Sequence, residues 1–359
     1  MPLTTVSQGL LSTDAQYTGF KNRLINGDMQ IDQRNNGAAV TAPAGYFLDR
    51  WRTTNTNPTR WNVQQNAGSV TPPVGFVNYL GATSAGSYSV VSGDTFNFTQ
   101  RIEGLNTSDL SFGTANASTV TVSFWVRSSL TGTFAGSLQN SAQNRSYVFT
   151  FVINAANTWE YKTITIAGDT TGTWLTTNGI GLQLNFNLGN GSTFATTAGA
   201  WQSGEFYGVS GGVNLVGTSG ATFYITGVQL EKGSVATSFD VLDYGTELAM
   251  CQRYCVVYGG SGIYETYGYG NAVSTGTVQT LMALPVSMRT TPSISVSGTI
   301  QISDGANGFV IFVLSVGTVQ SNSQQIVLNA TSSGLTQFRT YRLENNNNTT
   351  SRIFFLAEL

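Results

Sequence analysis

The sequence predicts an all-β fold: an antiparallel β-sandwich, then a short helix, then a second β-sandwich-like domain. Three observations predict it. Apolar residues recur at every second position over long stretches, and clusters of Gly, Asn, Ser and Thr separate those stretches. Charged side chains are scarce, 16 basic and 18 acidic among 359 residues with three lysines, which leaves little material for the polar faces of long surface helices.

Taken in order, Phe96, Phe98 and Ile102 mark one strand, and Val120, Val122, Phe124 and Val126 mark the next, interleaved with Thr119, Thr121, Ser123, Trp125 and Arg127. Tyr147, Phe149, Phe151 and Ile153 head a third. Ile164 and Ile166 supply a fourth. The clearest alternation is Ile180, Leu182, Leu184, Phe186 and Leu188 against Gly181, Gln183, Asn185 and Asn187, a strand with one buried face. Phe223 and Ile225 follow. Turns such as Gly189-Asn190-Gly191-Ser192 and Gly217-Thr218-Ser219-Gly220 punctuate the runs, because Gly and Asn tolerate positive φ.

Between Asp243 and Tyr254 the period changes. Leu248, Cys251 and Cys255 fall at i, i+3 and i+7 with the helix formers Ala249 and Met250 between them, so a short helix is expected as a joint. Beyond it, a Tyr/Gly-rich run to Gly270 opens a second β region. Its strands are expected at Ile294/Val296, Ile300/Ile302, Phe309 to Leu314, Ile326/Leu328, Phe338/Tyr341 and Ile353/Phe355, with Asn345 to Thr350 as an exposed loop. The organisation this implies is an arm over 1–23, a first β domain over 24–241, a helical joint over 242–258 and a C-terminal β domain over 259–359.

Composition removes several functions. A net charge of −2 offers no basic excess to neutralise phosphates, so nucleic acid is not an expected partner. Histidine is absent, which excludes a Ser-His-Asp triad, a Cys-His dyad and a His-based zinc site. Cys251 and Cys255 are too few for a disulfide framework or a thiolate cage and read as small buried hydrophobes. Met1 to Gln16 carries no charged or apolar signal pattern, and the longest apolar run, Phe309 to Leu314, is too short for a bilayer. The expectation is a chain folded in a cytosol without membrane insertion.

Three blocks carry a resemblance. Phe20 to Met29 (Phe-Lys-Asn-Arg-Leu-Ile-Asn-Gly-Asp-Met) followed by Tyr46 to Trp51 (Tyr-Phe-Leu-Asp-Arg-Trp) resembles the opening of lectin-like jelly-roll modules in phage and prophage tail-fibre proteins. Gly227 to Gly233, then Ala236 to Phe239 and Glu247 to Tyr254, resembles their closing, with Gln100 to Glu103 and Val122 to Val126 between. The likeness spans about 20–255, with a weaker one at Leu284 to Pro292. It implies a non-enzymatic virion protein assembled in the host cytoplasm: a receptor-binding tail fibre, in most such proteins a homotrimer. The N-terminal arm would join other tail or baseplate proteins, and the jelly roll would engage host surface polysaccharide. A purely structural head-fibre, decoration or baseplate component is the alternative.

Sugar recognition calls for flat aromatic faces beside planar hydrogen-bonding groups, and Trp125, Trp159 and Trp201 are the candidates, with Trp174 a further aromatic. Trp125 lies on the polar parity of its strand. It either faces an open outer sheet or packs under a loop or in a subunit interface. Trp51 and Trp61 read as core or interface residues, and Tyr258, Tyr264, Tyr267 and Tyr269 as a contact patch or a trimer seam. The resemblance also implies a structural Ca²⁺ where first and last strands meet, for which Asp28 and Glu231 are the candidate ligands; no other cofactor is expected. The other reading is ordinary charge pairing, Asp28 with Arg23 and Glu231 with Lys232 or Arg253. A polysaccharide depolymerase would need two facing carboxylates, and Glu103, Glu160, Glu205 and Asp169 show no close pair on a common strand face.

Overall fold

A computed structural model describes residues 20–359, so the expected N-terminal arm lies outside the described residues except for Phe20 to Arg23. The chain divides into two compact units, one of the residues up to Tyr244 together with Leu359 and a second over Gly245–Glu358.

Thirteen strands build the first unit: β1 (Val40–Thr41), β2 (Gly45–Leu48), β3 (Trp51–Asn55), β4 (Trp61–Gln65), β5 (Leu80–Ser84), β6 (Thr95–Glu103), β7 (Val120–Ser128), β8 (Gly132–Gln139), β9 (Arg145–Ile153), β10 (Glu160–Ile166), β11 (Ile180–Asn190), β12 (Trp201–Ser203) and β13 (Thr222–Lys232). They form a six-stranded sheet, order β1-β4-β5-β13-β7-β10, and a seven-stranded one, order β12-β9-β8-β11-β6-β3-β2. Consecutive strands repeatedly switch sheets, as in a jelly roll. The period-two alternation gives each sheet one apolar face, and the two faces meet in a single core. Trp51, Trp61, Phe96, Phe98, Phe124, Phe134 and Phe186 are all fully buried there, each contributing roughly 1.5–3 kcal/mol relative to exposure.

The other face of the seven-stranded sheet departs from expectation. Gln183, Asn185 and Asn187, the polar half of the β11 alternation, are also buried. They belong to cross-strand rows that include Asn97, Thr99, Ser137 and Gln139. The Asn185 amide is fully engaged: Nδ2 donates to Ser137 Oγ (3.2 Å) and Gln139 Oε1 (3.1 Å), and Oδ1 accepts from Thr99 Oγ1 (2.7 Å). The Gly204–Gly208 segment covers part of this face. Gln139 Nε2 donates to Phe206 O (3.0 Å), Ser146 Oγ to Gly204 O (2.6 Å), and Gln143 Nε2 to the buried Tyr207 hydroxyl (2.8 Å). The buried amides are therefore paired with one another and with the returning backbone, which is what makes their burial tolerable.

The second unit starts at α1 (Tyr244–Gln252), the one α-helix among the described residues. The helix stops before Cys255. Residues 255–258, expected in the joint, instead belong to β14 (Cys255–Gly259), which pairs with β23 (Arg352–Leu356). Both cysteines are buried and unbridged. β23 also pairs with β17 (Ser293–Ser297), closing a three-stranded sheet. The remaining strands, β15 (Thr266–Ser274), β16 (Thr277–Ala283), β18 (Ile300–Ser303), β19 (Gly308–Val310), β20 (Val313–Val316), β21 (Gln325–Thr331) and β22 (Thr340–Asn345), form a sheet in the order β19-β18-β22-β15-β16-β21-β20. Its two edges, β19 and β20, are consecutive in the chain and joined only by Ile311 and Phe312, so the sheet curls toward closure.

Two strand expectations in this unit are corrected. Phe309 to Leu314 is broken into β19 and β20, because the chain passes there from one sheet edge to the other. Phe338 sits outside β22 with φ 67°, well exposed in the turn that precedes the strand. Among the described residues no helix is long and apolar enough to cross a membrane.

Candidate functional site: an aromatic cradle on the six-stranded sheet

On the outward face of the six-stranded sheet, β7 presents Ser123 and Trp125 and the antiparallel β10 presents Tyr161 directly opposite Trp125. The two rings lie 5.3 Å apart between centroids, tilted by 50°. Trp125 is half-buried and Tyr161 is exposed.

The neighbouring strand β13 is irregular at this level. Its register against β7 shifts between Thr226 and Gln229, and Gly227 within the bulge adopts φ 59°. The ring of Phe76 lies against Gly227 so closely that a Cβ there would stand 2.5 Å from a ring carbon. Phe76 in turn meets Phe239 edge to face at 5.2 Å. The result is a concave site of about 370 Å³, with Ser123, Trp125 and Gly227 at its base, Tyr161 on one side and Phe76 and Phe239, with Thr237 and Ser238, on the other.

Local sequence explains how both loop phenylalanines arrive. Phe76 closes a turn in which its N–H donates to Pro73 O (3.1 Å), with Gly75 at φ 93° in the third position, the geometry of a type II turn. The rest of that loop is fixed by Tyr79, whose hydroxyl donates to Ala67 O (2.7 Å) and accepts from Val70 N (2.6 Å). Phe239 follows a segment that returns beside β13. There Glu231 accepts from Thr237 N (2.9 Å), Thr237 Oγ1 (2.8 Å) and Gln229 Nε2 (2.9 Å), while Asp240 N donates to Gln229 Oε1 (2.8 Å).

The indole N–H groups separate the tryptophans by role. Trp51, Trp159, Trp174 and Trp201 donate to the carbonyls of Asn26, Thr71, Thr171 and Ala167, and Trp61 is wholly buried. Trp125 Nε1 makes no hydrogen bond among the described residues, and neither do the hydroxyls of Tyr161 and Ser123. Three donors thus open into a cradle whose remaining lining is Gly227, the rings of Phe76 and Phe239, and Thr237 and Ser238, the Thr237 hydroxyl being committed to Glu231 (2.8 Å). No charged side chain lines it.

Of the three candidate tryptophans the structure brings only Trp125 to this site. Trp159 packs edge-on against Tyr79 at 5.8 Å and holds Thr71, so it braces the loop that carries Phe76. Trp201 sits at the far edge of the other sheet among Trp174, Phe112 and Tyr147. The two candidate calcium ligands do not share a site. Arg23 N donates to Leu230 O (2.9 Å) and Val228 N to Gly27 O (2.8 Å), which sets Asp28 and Glu231 beyond opposite ends of that shared stretch. Asp28 accepts from the Gln30 amide, and both Glu231 oxygens are taken by Thr237 and Gln229. Among the described residues no three Cys, Asp or Glu side chains gather as a metal site. The charge pairing also differs from expectation: Arg23 and Lys232 both turn to Asp109, at 2.8 and 3.5 Å.

Tyr161, Phe76, Phe239 and Gly227 were not among the candidates. Tyr161 was readable, since it shares the outward parity opposite Ile164 and Ile166. The two phenylalanines lie in loops about 160 residues apart in sequence, and no local pattern joins them.

No protein-family model matches the chain, and no curated protein matches it. Among solved structures it is similar to the enzymatically active domain of tailspike protein 4 of bacteriophage CBA120, at 14% identity and TM-score 0.33, over 59% of this chain and 21% of that one. The likeness therefore spans about a fifth of the tailspike chain. It is similar also to a putative sugar binding protein of Bacteroides thetaiotaomicron (11% identity, TM-score 0.34, 59% of this chain and 100% of that one). A third is TmCBM61 in complex with β-1,4-galactotriose (12% identity, TM-score 0.30, 59% and 99%).

Proposed function

We propose that this chain is a non-catalytic receptor-binding subunit of a phage particle, a homotrimeric tail-fibre protein whose first unit binds host surface glycans at the Trp125–Tyr161 cradle. The observation that carries the glycan reading is the Trp125–Tyr161 pair itself: two accessible ring faces with an unpaired indole N–H and phenol O–H beside them. A pyranose presents a C–H face to the rings and hydroxyls to the two polar tips.

The non-catalytic part is supported by the lining. Glycoside cleavage takes two carboxylates flanking the bond, and this cradle has none. Elsewhere Asp169 is held by Arg145 (2.7 Å), Glu160 by Lys162 (2.6 Å), and Glu205 accepts from Tyr207 (2.7 Å). The virion part is supported by composition. With 34 charges and no histidine in 359 residues, the surface changes little with salt or between pH 5 and 8, as a particle released into variable surroundings requires. A single cradle of this size binds weakly, and three on one fibre would compensate through avidity.

A second reading is a structural virion component that touches only other virion proteins. The second unit favours it, because Val310, Phe312 and Val313 are each more than half exposed in a nearly uncharged stretch.

Adsorption of the purified chain to candidate host cells and to a glycan array, with and without Trp125→Ala, tests the first reading. The expected result is loss of at least about tenfold in adsorption with the fold unchanged. Equal adsorption by both proteins would place the receptor site outside the cradle, and none by either would move the assignment to the second reading.

A further inference from the structure

We infer that the cradle selects a neutral hexose bearing a methyl group, presented either as a 6-deoxy carbon or as an N-acetyl, over unsubstituted or acidic sugars. This rests on the glycan-binding reading above and concerns which sugars that site takes.

None of the residues that line the cradle is charged at neutral pH, and Glu231, which holds the segment leading to Phe239, has both oxygens occupied by Thr237 and Gln229. A uronate or sialate carboxylate entering here would leave water without meeting a cation. That is unfavourable for any buried charge lacking a partner.

The walls of the cradle divide by polarity. Trp125, Tyr161 and Ser123 supply all three unpaired polar groups and sit together on β7 and β10. The opposite wall is Phe76 and Phe239, whose rings offer neither donor nor acceptor, with Thr237 and Ser238 beside them and the Thr237 hydroxyl already donated to Glu231 (2.8 Å). A sugar stacked on Trp125 can direct hydroxyls toward the first wall only. A group that faces the two phenylalanine rings is stripped of water and given no hydrogen bond by them, so a hydroxyl there is penalised while a methyl is favoured. The volume, about 370 Å³, lies near the lower end of the roughly 300–1,000 Å³ of small-molecule sites, which suits a terminal ring or two and not a long chain.

This wall is built in. Gly227 lacks the Cβ that would collide with Phe76, and the type II turn at Pro73 to Phe76 and the Glu231–Thr237 bonds fix the two rings from separate loops.

Saturation-transfer NMR and titration on the full chain provide the test, with methyl α-L-rhamnoside, N-acetylglucosamine, methyl α-glucoside and glucuronate as probes. The first two are expected to bind about tenfold or more tighter than the last two, with the strongest saturation on their methyl protons. Phe239→Ala should erase that preference while leaving weak binding, and Trp125→Ala should remove all binding. Phe76→Leu provides a second variant of the same wall if Phe239→Ala does not fold. Whichever of the 6-deoxy and N-acetyl probes binds identifies the source of the methyl. Trp125-dependent binding that is equal for the plain and methyl-bearing sugars, or stronger for glucuronate, overturns this inference and leaves the glycan site standing. No binding of any sugar by a folded protein overturns both.

Discussion

At the scale of single residues, Gly227 has the largest structural consequence for the smallest side chain. Its φ of 59° is one that L side chains adopt only with strain, and Phe76 fills the space where a Cβ would go. Gly227→Ala is therefore expected to destabilise the protein by about 1–3 kcal/mol and to push Phe76 out of the cradle. Thermal melting reads the first effect. Sugar affinity of the remaining folded protein reads the second, and a variant that melts like the parent with unaltered affinity would show that the close approach has no bearing on the site. Other residues act indirectly. Trp159, a candidate ligand stack by composition, braces the loop behind Phe76, and Glu231, a candidate metal ligand, braces the segment before Phe239. Both contribute to the site without entering it.

At the scale of elements, the β9–β10 hairpin depends on one carboxylate. Glu160 accepts from Asn154 N (2.8 Å), Ala155 N (2.9 Å) and Asn154 Nδ2 (2.9 Å), and pairs with Lys162. Desolvation pushes its pKa up, but the Lys162 ammonium and the hairpin N–H groups outweigh it and hold the carboxyl at about 2. The folded value is thus below the roughly 4.3 of an unfolded glutamate, so this stabilisation is complete above about pH 4.5 and lost as pH falls toward 2. Glu160→Gln is expected to lower the melting temperature at pH 7 and to converge on the parent between pH 4.5 and 2. Melting curves that stay parallel across that range would refute the assignment.

The same elements show what was legible beforehand. Alternation located the main strands of the first unit and set Trp125 on the outward face, because sheet parity is a local property. It treated Gln183, Asn185 and Asn187 as a solvent face, whereas a segment about 20 residues further along covers them, and burial of polar side chains by a returning loop leaves no periodic trace. The helical spacing continues through Cys255, yet pairing with β23 about a hundred residues away claims that residue for a strand. Phe76 and Phe239 escaped notice for the same reason: what unites them is the bulge in β13, a tertiary feature.

At the scale of the whole molecule, the distribution of charge is more telling than its amount. Between Arg289 and Arg339 the sole ionisable residue is Asp304, and it is paired with Arg339 at 3.0 Å. Within that stretch the curled sheet of the second unit has its two edges, β19 and β20, and the link between them exposes Phe312 flanked by Val310 and Val313. Native proteins usually guard such edges with charge, proline or a covering element, and none of these guards lies on this link. In the proposed trimer, the natural partner for an uncharged apolar surface is its own copy, which brings no like-charge repulsion and no need for charge matching. Val310→Lys combined with Phe312→Lys is therefore expected to reduce the mass measured by light scattering from three chains to one. Because both side chains are exposed, melting should change by no more than about 1 kcal/mol equivalent. Adsorption to cells should fall more steeply than the affinity of the isolated cradle for sugar, since avidity disappears while each site is intact. A variant that stays trimeric would place the self-contact elsewhere, and a parent chain that is already monomeric would remove avidity from the account and leave the cradle to act alone.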